Sequence, residues 1–374
     1  MITVKPVTTK KELAFFIDFP HKLFEGDDNY VPELHIAQRD VLTPGKHPFH
    51  NHSSMQLFLA YDDNAIIKGR IAAILNNNHN AFKHVTDGFF GFYDLYNNKE
   101  VSDKLLKEVE KWLKEKGATK VIGPVNPSTN ETAGLLIDGF DSPAVAMMTY
   151  NKPYYLDLLA GYGFEKNVDL LAYDLPTNVV DKKTLQLKEV LSKRLATRNI
   201  TIRNINLKDF KNEVQKILKV YNAAWEDNTG FVPMTDDEFK YLAKDLKLVL
   251  DKDFALVAEH NGEVIGFALA IPDINQVLKK IKRGRLLPTG IFKLLLGKKK
   301  INYVRVLALG VNKEFRKAGI EAFFYAEIIQ KAIDKKITGG EASWILENNE
   351  MMNKGLLKMN AKVYKRYRIL EKSL

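Results

Sequence analysis

Cysteine is missing from all 374 residues. Its absence excludes a disulfide framework, a thiol nucleophile and thiolate metal ligands, and it suits a reducing compartment. No apolar run approaches the roughly 20 residues that cross a bilayer. The opening stretch MITVKPVTTKKELAFF lacks the basic-then-apolar order of a signal peptide. These absences predict a cytoplasmic chain, at most peripheral on the inner face of the cytoplasmic membrane. Acidic residues are missing from one place in particular. From Ile274 to Tyr303 there are nine basic residues (Lys279, Lys280, Lys282, Arg283, Arg285, Lys293, Lys298, Lys299 and Lys300) and no acidic one. The net charge of the whole chain is +10, so the remainder is nearly neutral.

Within this basic stretch, Leu286-Leu287 and Ile291–Leu296 interleave apolar side chains with the charge. A basic face beside an apolar one suits an anionic membrane surface or an amphiphilic anionic ligand. Nucleic acid is the weaker reading, because the stretch has no reader motif and few aromatics for stacking. A solvated lid is the third. With 45% hydrophobic and 10% aromatic residues the chain can bury real cores, and its length suits two of them.

The chemistry concentrates in Val304–Gln330. A hydrophobic run ends in Leu309-Gly310-Val311, a polar turn carries Arg316-Lys317-Ala318-Gly319, and an apolar-periodic segment follows from Ile320. This pattern predicts a strand that hands over to a helix through a basic, glycine-containing loop. Such a loop aims backbone N–H groups and the positive end of a helix dipole at one spot, which suits a phosphate or pyrophosphate. The chain also repeats itself. Asn151 and Gly163 are twelve residues apart, as are Asn348 and Asn360. Each pair follows a plausible strand, Lys120–Val125 or Ser343–Glu347, and each reads as an Asn-capped helix, a turn and a returning strand. The repeat predicts two copies of one fold. In the second copy, Asn199–Leu207 reads as a strand, Asp209–Trp225 and Thr235–Leu250 as helices, and Asn261-Gly262 as a hairpin turn. The first copy has no Arg-x-x-Gly loop after its strand Gly88–Leu95. The anion site is therefore expected in the second copy alone, with a boundary near Pro176–Asp181.

The order strand, two helices, three strands, helix, strand, helix, strand resembles that of the GNAT acyltransferases, which use acyl-coenzyme A. Their Arg/Gln-x-x-Gly-x-Gly/Ala signature is matched at Arg316 and Gly319 but not at Glu321, which stands where the family has a small residue. The stretches Gly88–Tyr93, Gly123–Ser128, Gly134–Asp141, Met148–Tyr155 and Ser343–Asn349 resemble a tandem-GNAT bacterial subgroup similar to the bacterial ceramide synthases. The resemblance implies an α/β fold of two tandem GNAT units, each a mixed, mostly antiparallel sheet flanked by helices. Residues 1–178 would form a degenerate N-terminal unit. Residues 179–374 would form the unit with the acyl-CoA loop and the basic insertion 274–303. It further implies metal-free N-acyl transfer from acyl-CoA, acetyl or longer, to a primary amine. A sphingoid base drawn from a membrane is compatible with the basic insertion. Two rival classes stay open, a non-catalytic acyl-CoA or anionic-lipid binding protein and a tRNA-dependent aminoacyl transferase.

Acyl transfer to an alkyl amine with a pKa near ~10 needs a base for the amine, a donor that polarises the carbonyl and an acid for the departing thiolate. A backbone N–H near Gly310-Val311 suits the carbonyl, and Leu309, Gly310 and Val311 are expected among the cofactor contacts. Under the resemblance, Arg316, Lys317, Ala318, Gly319, Ile320 and Asn349 complete the expected cofactor contacts. Glu347, at the end of its strand, is the candidate base, with a helix-terminal electrostatic role as its alternative. Glu314 is the second candidate. Tyr364 and Tyr367 are candidate acids that also fit as core or strand-edge residues. Seven of the eight histidines precede residue 85, three of them in His47-Pro-Phe-His50-Asn-His52. With no carboxylate motif nearby, acceptor recognition or simple exposure is expected there rather than zinc.

Overall fold

The two halves of the chain build their sheets by the same rule. Thr3–Pro6, Ser54–Tyr61, Ile67–Leu75 and Asp87–Leu95 pair antiparallel in that order, and Asp87–Leu95 then pairs parallel with Lys120–Gly123. Ile200–Asn204, Ala255–His260, Glu263–Pro272 and Tyr303–Val311 repeat the pattern, ending in a parallel pair with Gly339–Leu346. The computed structural model describes residues 1–180, 182–225 and 230–374, the side chains of 182–184 excepted. Asp181, the end of the expected boundary, lies outside the described residues.

Each sheet is completed by a strand from the other half. The C-terminal strand Lys362–Ser373 runs antiparallel to Lys120–Gly123, and Glu165–Pro176 neighbours Gly339–Leu346. The chain therefore divides into two units that are not its contiguous halves. One comprises Met1–Leu170, Asn275–Lys298 and Lys365–Leu374, and the other comprises Leu171–Ile274 and Lys299–Tyr364. This differs from contiguous units 1–178 and 179–374 with the insertion 274–303 in the second. The insertion is tied to the first unit by its own contacts. Asn275 Nδ2 donates to the Ala144 carbonyl (2.8 Å), and Arg285 pairs with Asp18 (3.1 Å). Gly284 packs so closely that a Cβ there would lie 1.7 Å from the Glu33 carbonyl oxygen.

Helix Lys99–Glu115 shows how local sequence sets the packing. Asn98 caps it by accepting the Val101 N–H (3.2 Å). Val101, Leu105, Leu106, Val109 and Leu113 recur at helical spacing and are at most 1% exposed. The helix rests on Gly69 and Gly88, where a Cβ would come within 2.9 Å of Leu105 and 2.6 Å of Leu113. Helix Ile320–Asp334 has the same place in the second unit and buries Phe324, Ile328 and Ala332 in one core with Phe254, Ile265 and Val304.

Both parallel pairs are short. Register ends at Phe89/Ile122 in the first unit and at Val306/Ala342 in the second, and beyond these points the strands part. In the first unit the chain itself fills the gap. Asn126 Oδ1 accepts the Phe92 N–H (2.6 Å), and a Cβ on Gly91 would lie 1.8 Å from the Val125 carbonyl oxygen. Val125–Asn126 is itself held by pairing with Thr132–Ala133. Asn126→Ala leaves the Phe92 N–H without its acceptor and is expected to lower the unfolding free energy by about 1–3 kcal/mol. Urea denaturation measures this, and a midpoint equal to wild type would show that the plug carries no weight.

Candidate functional site

In the second unit the parting strand leads into the basic, glycine-containing loop. The Asn312 N–H donates to the Ile265 carbonyl (2.9 Å) across the antiparallel pair. Alternation along the strand then turns the N–H and C=O groups of Leu309 and Val311 to the opposite edge, toward Gly339–Leu346. A register shift between Leu269 and Ala270 makes Leu307 an extra residue and bends the strand at the point of separation. Two main-chain donors thus face the widening gap, while Gly310 faces the antiparallel partner Phe267.

The loop that follows is built for an open helix terminus. Lys313–Phe315 make one tight turn, and Gly319 starts helix Ile320–Asp334 at φ 98°, a value that favours glycine. No side chain caps this terminus, in contrast to Asn98 in the first unit. No capping side chain therefore competes with an anion for the first-turn N–H groups, apart from that of Glu321. Lys317 is exposed, whereas Ala318 and Ile320 are buried. Arg316 turns inward. Its Nε donates to the Val311 carbonyl (3.4 Å) and its Nη2 to the Ala224 carbonyl, bracing the loop against helix Phe210–Trp225. Glu321 accepts its own backbone N–H. Burial pushes its carboxyl above the ordinary range, opposed by that hydrogen bond and by the Arg316 charge. It thereby occupies one donor and places a carboxyl at the start of the helix.

Next to the gap lies an ionic group that the sequence patterning missed. Arg305 and Glu341 are register partners on the parallel pair, 3.9 Å apart and at most 1% exposed. Arg305 Nε donates to Ser343 Oγ (2.9 Å), its Nη2 donates to the Ser343 carbonyl (3.3 Å), and the guanidinium lies 5.2 Å over the Trp344 ring. Glu341 accepts from the Ser343 and Tyr364 hydroxyls. A charge within each apolar strand, in VRVLALG and GEASWIL, was the available signal.

The remaining candidates scatter. Glu347 and Glu314 are exposed, the first just beyond strand Gly339–Leu346 and the second in the loop turn. Asn349 caps helix Glu350–Lys358 by accepting the Met352 N–H (3.2 Å), so its side-chain oxygen is engaged. Asn151, which the repeat aligns with the neighbouring Asn348, does not cap the following helix. It is buried and holds the Leu136 N–H (2.7 Å) and carbonyl (3.1 Å). Tyr364 belongs to the second unit and Tyr367 to the first, where Tyr367 is fully buried against Gly134. The histidines of the His47–His52 stretch each take a different partner. His47 is buried 3.2 Å from Glu131, His50 meets the Val41 carbonyl (2.9 Å) and His52 meets Ser53 Oγ (2.6 Å). Among the described residues no cluster of His, Asp and Glu is arranged to hold a metal ion.

No family model matches the sequence. Over 379 residues the chain is 34% identical to Protein YghO of Escherichia coli K12, covering 99% of this chain and 95% of that protein. It is 32% identical over 383 residues to the bacterial ceramide synthase of Caulobacter vibrioides, covering 100% and 98%. Among solved structures it superposes on a tandem GNAT protein from the clavulanic acid biosynthesis pathway with a TM-score of 0.58. That match covers 100% of this chain and 98% of the other at 10% identity, a likeness of fold.

Removing Glu341 leaves the buried Arg305 charge uncompensated, so Glu341→Ala is expected to cost about 3–5 kcal/mol in chemical denaturation. Tyr364→Phe keeps the Ser343 and Arg305 contacts and is expected to cost about 0.5–1.5 kcal/mol. Equal losses from the two substitutions would contradict this hierarchy.

Proposed function

Because the chain belongs to the tandem-GNAT acyltransferase family that includes the bacterial ceramide synthase of Caulobacter, we propose that it moves an acyl group from acyl-CoA to a primary amine. The observation that carries this reading is the asymmetry of the two units. Parting strands and an uncapped helix terminus coincide in the second unit, whereas the first fills its gap with Asn126 and caps its helix with Asn98.

In this reading the pyrophosphate of the cofactor takes the first-turn N–H groups around Gly319 and Ile320. The thioester lies in the gap, where the N–H groups of Leu309 and Val311 polarise its carbonyl oxygen. Glu347 takes the proton from the attacking amine. As the C–N bond forms the C–S bond breaks, and the thiolate receives a proton from Tyr364, which solvent restores. Arg316 acts as a positioning residue that fixes the loop. The fully buried ring of Tyr367 packs its own unit, so the acid role falls to Tyr364.

The acceptor is a long-chain amine of the sphingoid type, taken from an anionic membrane surface. Supporting this, Leu287, Phe292, Leu295 and Leu296 are between 57% and 79% exposed, in the same stretch as the nine basic residues. Each Lys or Arg near an anionic surface contributes about 1 kcal/mol. Among the described residues no helix is long and apolar enough to cross a membrane, so the proposed contact is peripheral.

Thiol release from acetyl-CoA and palmitoyl-CoA, with amines that include sphinganine in anionic vesicles, tests the reading. Turnover of the long-chain amine is expected, falling about tenfold or more when Lys279, Lys280, Lys293 and Lys298–Lys300 are changed to Gln. Release only with small amines and no effect of the patch would overturn the membrane acceptor. No release with any pair would overturn acyl transfer. Glu321 supplies a pH test. Its raised carboxyl becomes charged as pH climbs through its folded value, and the charge then repels the pyrophosphate. The KM for acyl-CoA is expected to rise over that window in wild type and to be lower and flat in Glu321→Ala. A variant with the wild-type KM profile would show that Glu321 does not face the cofactor.

A further inference from the structure

We infer that Trp344 is a specificity-determining residue, whose indole N–H receives an oxygen carried on the carbon next to the amine-bearing carbon of the substrate. The enzyme thereby selects amino alcohols over plain alkyl amines. The inference rests on the acyl-transfer reading above and deepens it, naming the group by which the same site recognises its amine.

The direction of attack follows from the sheet. The N–H groups of Leu309 and Val311 lie in its plane, and a hydrogen bond to a carbonyl prefers the plane of the C=O group and its substituents. A thioester held by them therefore lies flat in the gap, and the amine meets it from one face of the sheet. Helix Ile320–Asp334 occupies one of the two faces. Val304, Val306, Leu309 and Val311 point to it and pack in one core with Phe324 and Ile328. Side chains alternate along a strand, so Arg305 points to the other face together with its register partner Glu341. Helix Phe210–Trp225 borders that second face at Phe267 and Ala308. It is the face from which the amine approaches.

Trp344 belongs to this face. It stands two residues beyond Ala342, the last to pair with Val306, on the strand that edges the gap. The Arg305 guanidinium lies 5.2 Å from the centre of its ring and holds the ring in place. The indole nitrogen is buried, and among the described residues no acceptor lies within hydrogen-bonding reach of it. Its polar neighbours are engaged with one another. Ser343 Oγ accepts from Arg305 Nε (2.9 Å) and donates to Glu341, which also accepts from the Tyr364 hydroxyl. A buried indole N–H usually has a partner, and an unmet one is costly. The indole nitrogen only donates, so the group it takes carries a lone pair. The attacking nitrogen offers none, because its lone pair goes to the acyl carbon. The thioester oxygen is met in the plane of the sheet by Leu309 and Val311. An oxygen one carbon farther along the amine lies beside the attacking nitrogen and presents its lone pairs to the face on which Trp344 stands. A site built to bond such an oxygen rejects the analogue that lacks it, since the buried donor then stays unmet.

Thiol release from palmitoyl-CoA in anionic vesicles, with sphinganine and with octadecan-2-amine, which lacks its hydroxyls, tests the assignment. Wild type is expected to favour sphinganine by about tenfold or more in kcat/KM. Trp344→Phe keeps a ring for Arg305 and removes the N–H. It is expected to lower kcat/KM for sphinganine by about the same factor while octadecan-2-amine stays within about twofold and the KM for palmitoyl-CoA is unchanged. If that variant fails to fold, NMR of the wild-type chain decides the matter. The chain has three tryptophans, and the indole N–H resonance of Trp344 is identified by elimination with Trp112→Phe and Trp225→Phe. It is expected to move downfield with 2-amino-1-octanol and to stay in place with octan-2-amine. Equal kcat/KM for the two long-chain amines in wild type, an equal loss for both in Trp344→Phe, or an indole resonance that moves with neither short amine overturns the assignment. No thiol release with either amine would instead overturn the acyl-transfer reading itself.

Discussion

Two parallel strands that stop pairing leave a row of main-chain donors and acceptors that need other partners. Buried groups of this kind cost about 1–3 kcal/mol each when unmet. The two units meet the requirement differently. In the first, Asn126 enters the gap and takes the Phe92 N–H, so the sheet is satisfied by its own chain. In the second, a bend at Leu307 and the parting after Val306 and Ala342 turn Leu309 and Val311 toward the gap. One fold is thus kept twice, once closed upon itself and once with main-chain donors turned toward the gap.

Rigidity beside the gap comes from the Arg305, Glu341 and Ser343 group. Such a buried pair contributes little net stability against an apolar replacement, but loss of one partner is costly. Its place in the fold explains its presence better than its energy does. It joins the two parallel strands one register pair before their last and takes the Tyr364 hydroxyl as well. The strands are locked together up to the point at which they separate. A small apolar space lined by Val306, Ala342, Ile328 and Leu356 lies along the same pair of strands, so the junction where they part borders both a polar cluster and an apolar one.

The basic insertion shows how far chain order and spatial order diverge. It lies in sequence between two strands of the second unit, yet Asn275, Gly284 and Arg285 fasten it to the first. The terminal strand does the same. Both transfers are made by contacts between residues more than a hundred positions apart, and no local periodicity records them. The repeat that aligns Asn151 with Asn348, next to the capping Asn349, is the converse case. Equal spacing pointed rightly to duplication, but one residue caps a helix and the other pins a strand, because each answers to its own neighbours.

By itself the sequence determined the class of fold, the duplication and the place of the strand-to-helix loop at Arg316–Gly319. Strand and helix periods, the glycine at 319 and the unbroken basic stretch are local features that any window of the chain displays. The interruption of the family signature at Glu321 was equally legible. Only the tertiary structure decided that Arg316 braces the loop from inside, that Asn126 closes the first unit, and that Tyr364 and Tyr367 belong to different units. It alone joined Arg305 to Glu341. These are relations between strands whose register is set by long-range pairing and burial. A side chain's role there depends on what that pairing brings within a few ångströms of it.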